Sequence, residues 1–272
     1  MGWNTFFHGR FGRKGLQLAG WMRVAYSILF VLDRIFSSYD YDYLLHPTHG
    51  VANFQVARQS PWYNENMRTL FEFFPESESF IWILHYIGLI QGVLLLLGVA
   101  PKFQAICLFI NMVSFQHHNQ FIWDAEDVMF KMWLFLFFLM PLHHVTIFDR
   151  FGFKPIHSND ETWSMWPVRL FQLEMTIVYA GAFFSKLQSK SWRDGTAMYW
   201  ITYTSDFYPG TFNPDFLFNR LLPLKLFTWS ALVLEGLGFT LVWVDKLRFS
   251  VVLAMYALHV GIDLTMNMYA FE

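Results

Sequence analysis

Phe80-Ile-Trp-Ile-Leu-His-Tyr-Ile-Gly-Leu-Ile-Gln-Gly-Val-Leu-Leu-Leu-Leu-Gly-Val-Ala100 decides the fold class. It contains no Asp, Glu, Lys or Arg. A helix needs about 20 mostly apolar residues to cross the hydrocarbon core of a bilayer, and this stretch supplies them. Gly98-Val-Ala-Pro101 then makes a tight break, because proline cannot continue a helix without losing a hydrogen bond. On either side, apolar stretches recur at 16–36, 103–115, 128–142, 168–187, 221–244 and 249–268. Those at 103–115 and 128–142 are short; they either extend into their polar linker or form a re-entrant pair. The expectation is an all-α, multi-pass transmembrane bundle of six or seven spans, forming a single domain over residues 1–272.

Composition points the same way. Hydrophobic residues make up 55% of the 272, charged residues 15%, and mean hydropathy is +0.31. A soluble domain carries about 25% charged residues. Polar groups are too few here to cover a globule, whereas lipid can solvate apolar outer faces. The net charge of −2 and the lack of a Lys/Arg block exclude a nucleic-acid surface. Cys107 is the only cysteine, which excludes a disulfide framework within the chain and a cysteine-rich metal site. The start, Met1 to Gly15, is basic but has no cleavable signal pattern, so the first span is expected to be retained. Phe6 stands where myristoylation of Gly2 wants Ser or Thr.

Orientation follows from basic residues. With a cytoplasmic N-terminus and seven crossings, the cytoplasmic segments hold eight: Arg10, Arg13, Lys14, Lys102, Arg150, Lys154, Lys246 and Arg248. The opposite side holds five: Arg58, Arg68, Lys190, Arg193 and Arg220. The three polar segments, 37–79, 117–127 and 188–220, then share the non-cytoplasmic face. The endoplasmic reticulum and the plasma membrane fit this equally.

Ionisable groups inside spans cost about 2.5–3.5 kcal/mol each on insertion scales, so each invites a functional reading. Lys186 ends one span. It is either a lysine snorkelling to the headgroups or a desolvated one, whose neutral amine burial would make available as a base. Glu235 lies deep in another span, and His259 has Asp263 one turn later. Arg169 and Glu174 share a helix at a spacing that puts them only loosely on one face. For these the plain reading is interhelical hydrogen bonding. For Arg23, Asp33 and Arg34 it is packing or anchoring. Tyr39-Asp-Tyr-Asp-Tyr43 and the scattered tryptophans read as interfacial anchors. His46/His49, His117/His118 and His143/His144 raise a metal site, but the clusters are few and small for a membrane di-iron centre, and no metal is expected.

A more specific signal runs from Trp166-Pro-Val-Arg-Leu-Phe-Gln172 through Val178-Tyr179 and Ser185-Lys-Leu187 to Ser191-Trp-Arg-Asp-Gly-Thr-Ala-Met-Tyr199. This segment resembles the horizontally transferred transmembrane (HTTM) domain family, and within it the membrane domain of vitamin K-dependent γ-glutamyl carboxylases. Leu139-Met-Pro141 with Ile147-Phe-Asp-Arg150, Glu235-Gly, and His259 with Gly261-Ile and Met266 agree with that pattern. The linker Gln188-Ser-Lys-Ser191 departs from the acidic pattern of the carboxylases.

The resemblance implies a chemistry. Lys186 would deprotonate reduced vitamin K or another quinol. Reaction with O₂ would give a strong alkoxide base, which removes a γ-proton from a glutamyl substrate. CO₂ adds to the carbanion and the quinone leaves as its epoxide. Such a base must be made in a dry pocket. His259 and Glu235 are the expected pocket hydrogen-bonding groups. Trp192, Asp194 and Gly195 would shape the loop over the pocket, with Tyr199 following. Expected partners are membrane lipid, a glutamyl peptide or protein, and a soluble accessory subunit. The competing readings are a non-catalytic HTTM factor for maturation of a secreted peptide or partner protein, and a histidine-metal oxidase.

Overall fold

The computed structural model describes residues 10–11, 13–51, 53–60, 63, 68–73, 77–119, 125–142, 163–202 and 219–265. The fold is all-α apart from a two-residue antiparallel pair, β1 (Arg10–Phe11) with β2 (Trp163–Ser164). The chain divides into two units, residues 1–170 and 171–272. Each is described by itself.

The first unit holds α1 (Arg13–Ser37), α2 (Tyr41–Leu45), α3 (Phe54–Arg58), α4 (Glu78–Leu97), α5 (Pro101–His118) and α6 (Ala125–Leu139). α4 shows why its boundaries fall where they do. Ser77 caps it by accepting from Phe80 N at 3.3 Å. Gly98 ends it in the left-handed region at φ 81°, with Val99 N donating back to Leu94 O at 3.0 Å. Ala100 also takes a left-handed φ of 44°, and Pro101 opens α5 at a position whose N–H would be unpaired anyway.

Small and polar residues let these helices approach. A Cβ at Gly92 would sit 2.9 Å from a ring carbon of Phe30 on α1, and one at Gly88 would sit 3.0 Å from Asn111 Oδ1 on α5. Asn111 Nδ2 donates to Leu84 O at 2.9 Å. Tyr26 of α1 packs edge-on against Phe130 and Phe137 of α6 and donates to Phe130 O at 3.1 Å. Arg23 is fully buried; its guanidinium donates to Leu95 O and, at 2.9 Å, to Leu96 O. It thereby adds a donor to carbonyls of the last turn of α4, where Leu95 O otherwise accepts from Gly98 N at 3.1 Å, and a cation there also meets the negative end of the helix dipole.

The helix α7 (Trp166–Gln188) leads into the second unit, which holds α8 (Lys190–Arg193), α9 (Ala197–Thr202), α10 (Leu221–Thr240) and α11 (Arg248–Thr265). α10 and α11 form a helical hairpin through a 3-10 turn at Leu241–Trp243. Gly238 faces the Met255 thioether at 3.1 Å from its ideal Cβ.

Four helical segments are long and apolar enough to cross a membrane: Gly15–Leu45, Glu78–Leu97, Leu221–Trp243 and Asp245–Thr265. Between their polar ends these segments expose mainly apolar residues. On α4, Ile83, Tyr86, Ile87, Ile90 and Val93 form an exposed stripe at helical spacing. On α11, Phe249, Val252, Leu253 and Tyr256 do the same. Water would penalise such stripes and lipid does not. The chain is a membrane protein. The short apolar stretches lengthen in the structure, to Pro101–His118 and Ala125–Leu139, by absorbing part of their polar linker.

Candidate functional site

In the second unit, one face of α7 meets a polar residue from each of α10 and α11. Tyr179 and Lys186 are seven residues apart, two helical turns, and so share a face about 10 Å long. Phe183 lies between them and meets Gly236 of α10, where a Cβ would stand 3.0 Å from the ring. That close approach brings the end of α7 against the middle of α10.

At one end of the face, Lys186 Nζ is bonded to Glu235 Oε1 of α10. The Glu235 side chain is 10% exposed and that of Lys186 27%. Lys186 Nζ also stands 5.0 Å above the ring of Trp192, from α8. The lysine is therefore not a lone amine at a span end. Its group and the carboxylate together carry no net charge, whether the proton rests on nitrogen or oxygen, so the pair can sit in an apolar bundle where either ion alone could not. Glu235 Oε2 is buried without a hydrogen-bond partner among the described residues. At the other end of the face, Tyr179 Oη and His259 Nε2 of α11 lie 3.1 Å apart.

Asp194 and Gly195 form the turn after α8. Gly195 has φ +77°, and a Cβ there would stand 2.8 Å from Lys225 Cγ and 2.9 Å from Trp229 Cε2. Trp229 Nε1 donates to Arg193 O at 3.2 Å, and Thr196 N to Ser191 O at 2.8 Å. The first bond fastens the turn to α10 and the second closes the turn on itself, which holds Trp192 over Lys186. Asp194 is exposed. Tyr199, on α9, is also exposed and stands edge-on to Trp200.

The structure thus joins Lys186, Glu235 and Trp192 directly, and reaches His259 through Tyr179. Tyr179 is the residue that sequence reasoning passed over as a site member. Its seven-residue spacing from Lys186 was the available signal. Glu174, one turn before Val178 on α7, also has a buried carboxylate oxygen without a described hydrogen-bond partner.

His117 and His118 turn to different partners. His117 Nδ1 lies 2.7 Å from Arg68 O. His118 is stacked between Phe54 and Phe71 at ring distances of 4.4 and 4.0 Å. His143 and His144 lie outside the described residues, as do Ile147–Arg150 and Met266. No family model, curated protein sequence or solved structure matches the chain.

Proposed function

We propose that this protein is a quinol-driven, γ-carboxylase-like membrane enzyme of the HTTM type, in which Lys186 takes the first proton from a reduced quinone. One observation supports this most: an amine and a carboxylate are hydrogen-bonded to each other on facing helices of an apolar bundle, beneath an indole ring. A quinol proton accepted by this neutral pair leaves an ammonium beside a protonated carboxyl, one positive charge that the quinol anion formed alongside balances, and Glu235 Oε2 is a further place for that proton to rest. Trp192 offers a flat apolar wall against which an aromatic ring stacks. The bonded Tyr179 and His259 supply a second proton-handling group on the same helix face. A reduced quinone, with O₂ and CO₂, would supply the oxidative base formation and the carboxyl group. The substrate would be a glutamyl peptide or protein, presented with the help of a soluble accessory subunit.

The same proposal includes six or seven membrane crossings, with α5, α6 and α7 joining the four long apolar segments, and a cytoplasmic N-terminus. The Lys186–Glu235 pair also favours a second reading, in which it is only an interhelical clamp in a non-catalytic maturation factor. The test is quinone epoxide formation by the purified protein in nanodiscs with reduced vitamin K, O₂, bicarbonate and a glutamyl peptide. Epoxide from the wild type and none from an equally folded Lys186→Ala supports the enzyme. No epoxide from either rejects it.

A further inference from the structure

The first long helical segment ends in a cluster that the proposed quinol chemistry does not use. Asp42 lies on α2, and His46 and His49 in the turn that follows it. One ligand atom from each of the three lies within 4.8 Å of the other two. Asp42 Oδ1 is 3.4 Å from His49 Nε2. Glu78, at the start of α4, brings Oε2 to 3.4 Å from His46 Nε2.

The scaffold beneath these four residues is held firmly. Gly50 N donates to His46 O at 2.9 Å and Val51 N to Tyr43 O at 3.0 Å, folding the turn back on α2. Gly50 has to be glycine, since a Cβ there would stand 2.6 Å from His46 O and 2.7 Å from Leu44 O. Tyr41 and Leu45 pack into a buried cluster with Ile81 and Leu84 of α4, which seats α2 beside the helix that carries Glu78.

We infer that Asp42, His46, His49 and Glu78 form a structural site for a divalent ion of the zinc type, stapling the end of the first helical segment to the start of α4. The donor set, two imidazoles and two carboxylates, suits zinc and its borderline neighbours. Zinc binds imidazole nitrogen and carboxylate oxygen at about 2.0–2.2 Å, so ligand atoms in a tetrahedral site stand about 3.4 Å apart. Both nitrogen–oxygen pairs already have that spacing. In the ion-free state Thr48 N donates to His46 Nδ1 at 3.3 Å, so the neutral ring carries its proton on Nε2, towards Glu78; binding through Nε2 moves that proton to Nδ1, where Thr48 Oγ1, 3.1 Å away, accepts it in place of the Thr48 N–H contact. Two carboxylates beside two neutral imidazoles give the net negative charge a dication requires. Four protein ligands close the coordination sphere, which is the pattern of structural rather than catalytic zinc.

A second adjustment is needed. The His46 and His49 rings are stacked, 3.6 Å apart and 20° from parallel. A single ion cannot lie in both planes, so the exposed His49 ring turns off the stack when it binds. Without an ion, the same residues make two histidine–carboxylate contacts and a ring stack, and the experiment separates these two states.

The full chain in nanodiscs is stripped with EDTA and titrated with Co²⁺, whose visible absorption is intense in tetrahedral sites and faint in octahedral ones. The expected result is one equivalent bound with the intense band, displaced by Zn²⁺. Loss of one ligand weakens metal sites at least as much as loss of an outer-shell partner, about 10–100-fold. His49→Ala and Asp42→Asn, both at exposed positions, are therefore expected to weaken binding by roughly tenfold or more, while His117→Ala leaves it unchanged. No intense band at millimolar Co²⁺, or a band that His49→Ala and Asp42→Asn leave unaltered, overturns the assignment.

Discussion

Replacing Glu235 by Leu leaves the Lys186 amine facing an apolar helix with, among the described residues, the Trp192 ring beside it. Removing one partner of a buried ion pair costs about 3–5 kcal/mol. Lys186 retains some access to solvent, with 27% of its side chain exposed, so the lower end, about 3 kcal/mol, is expected. Lys186→Met alone strands the carboxylate of Glu235, which is the more buried partner, and is expected to cost at least as much. The double replacement, Lys186→Met with Glu235→Leu, removes both charges and keeps similar volume, so it is expected to return to within about 1 kcal/mol of the wild type. The coupling between the two sites is then about 5 kcal/mol or more, above the 0.5–3 kcal/mol common for contacting residues, because each single variant strands a charge that the double variant does not. Reversible unfolding in mixed micelles, read by circular dichroism, gives all four corners of the cycle. Single variants as stable as the wild type, or a coupling below about 0.5 kcal/mol, would refute the claim that the two side chains are paired in the folded protein.

Arg23→Met leaves the carbonyls of Leu95 and Leu96 without their side-chain donor, and is expected to destabilise the first unit by about 1–3 kcal/mol in the same unfolding assay. Gly195→Ala forces a left-handed residue to carry a Cβ that meets Lys225 and Trp229, and is expected to cost at least about 1–2 kcal/mol of strain and to alter the fluorescence of the nearby tryptophans. His118 ends α5 past its apolar stretch at 103–115, in the polar segment 117–127; it is 2% exposed, and burial and then the nearby Arg58 push its pKa down to about 4. The folded form therefore stays neutral while an unfolded His118 takes up a proton below pH 6.5. Its contribution is present above pH 6.5 and is lost as pH falls towards 4, up to about 3 kcal/mol. Hydrogen exchange of residues 54–58 and 70–73 is expected to quicken over that range, and His118→Phe to abolish the dependence.

The membrane character was legible from composition and from single stretches such as Phe80–Ala100, because crossing a bilayer demands a long apolar run that few other structures need. The break at Gly98–Pro101 was legible for a local reason, since glycine and proline constrain the backbone on their own. The limits of α5 and α6 were less so. His117, His118 and Asp127 are polar yet helical, because tertiary partners such as Phe54, Phe71 and Arg34 receive their side chains. Arg23 shows the same thing from the packing side: nothing local indicates that its donors meet carbonyls some seventy residues away. At the candidate site, Lys186 and Glu235 each stood out because ionisable groups are costly in apolar helices. Their pairing did not, since it depends on the close approach of α7 and α10 that Gly236 permits. Asp42 and Glu78 escaped notice as partners of His46 and His49 because the contact is made in space, and exposed acidic residues carry no signal alone.

The most direct test of the central claim is epoxide formation by the charge-free double variant, Lys186→Met with Glu235→Leu, compared with the wild type in nanodiscs. Its fold is expected to survive, so loss of activity cannot be put down to unfolding. If Lys186 is the base for the quinol, the wild type forms quinone epoxide and the stable double variant forms none. Epoxide from the double variant at the wild-type rate would reduce the pair to a clamp between helices, and absence of epoxide from both would contradict the quinol-driven reading itself.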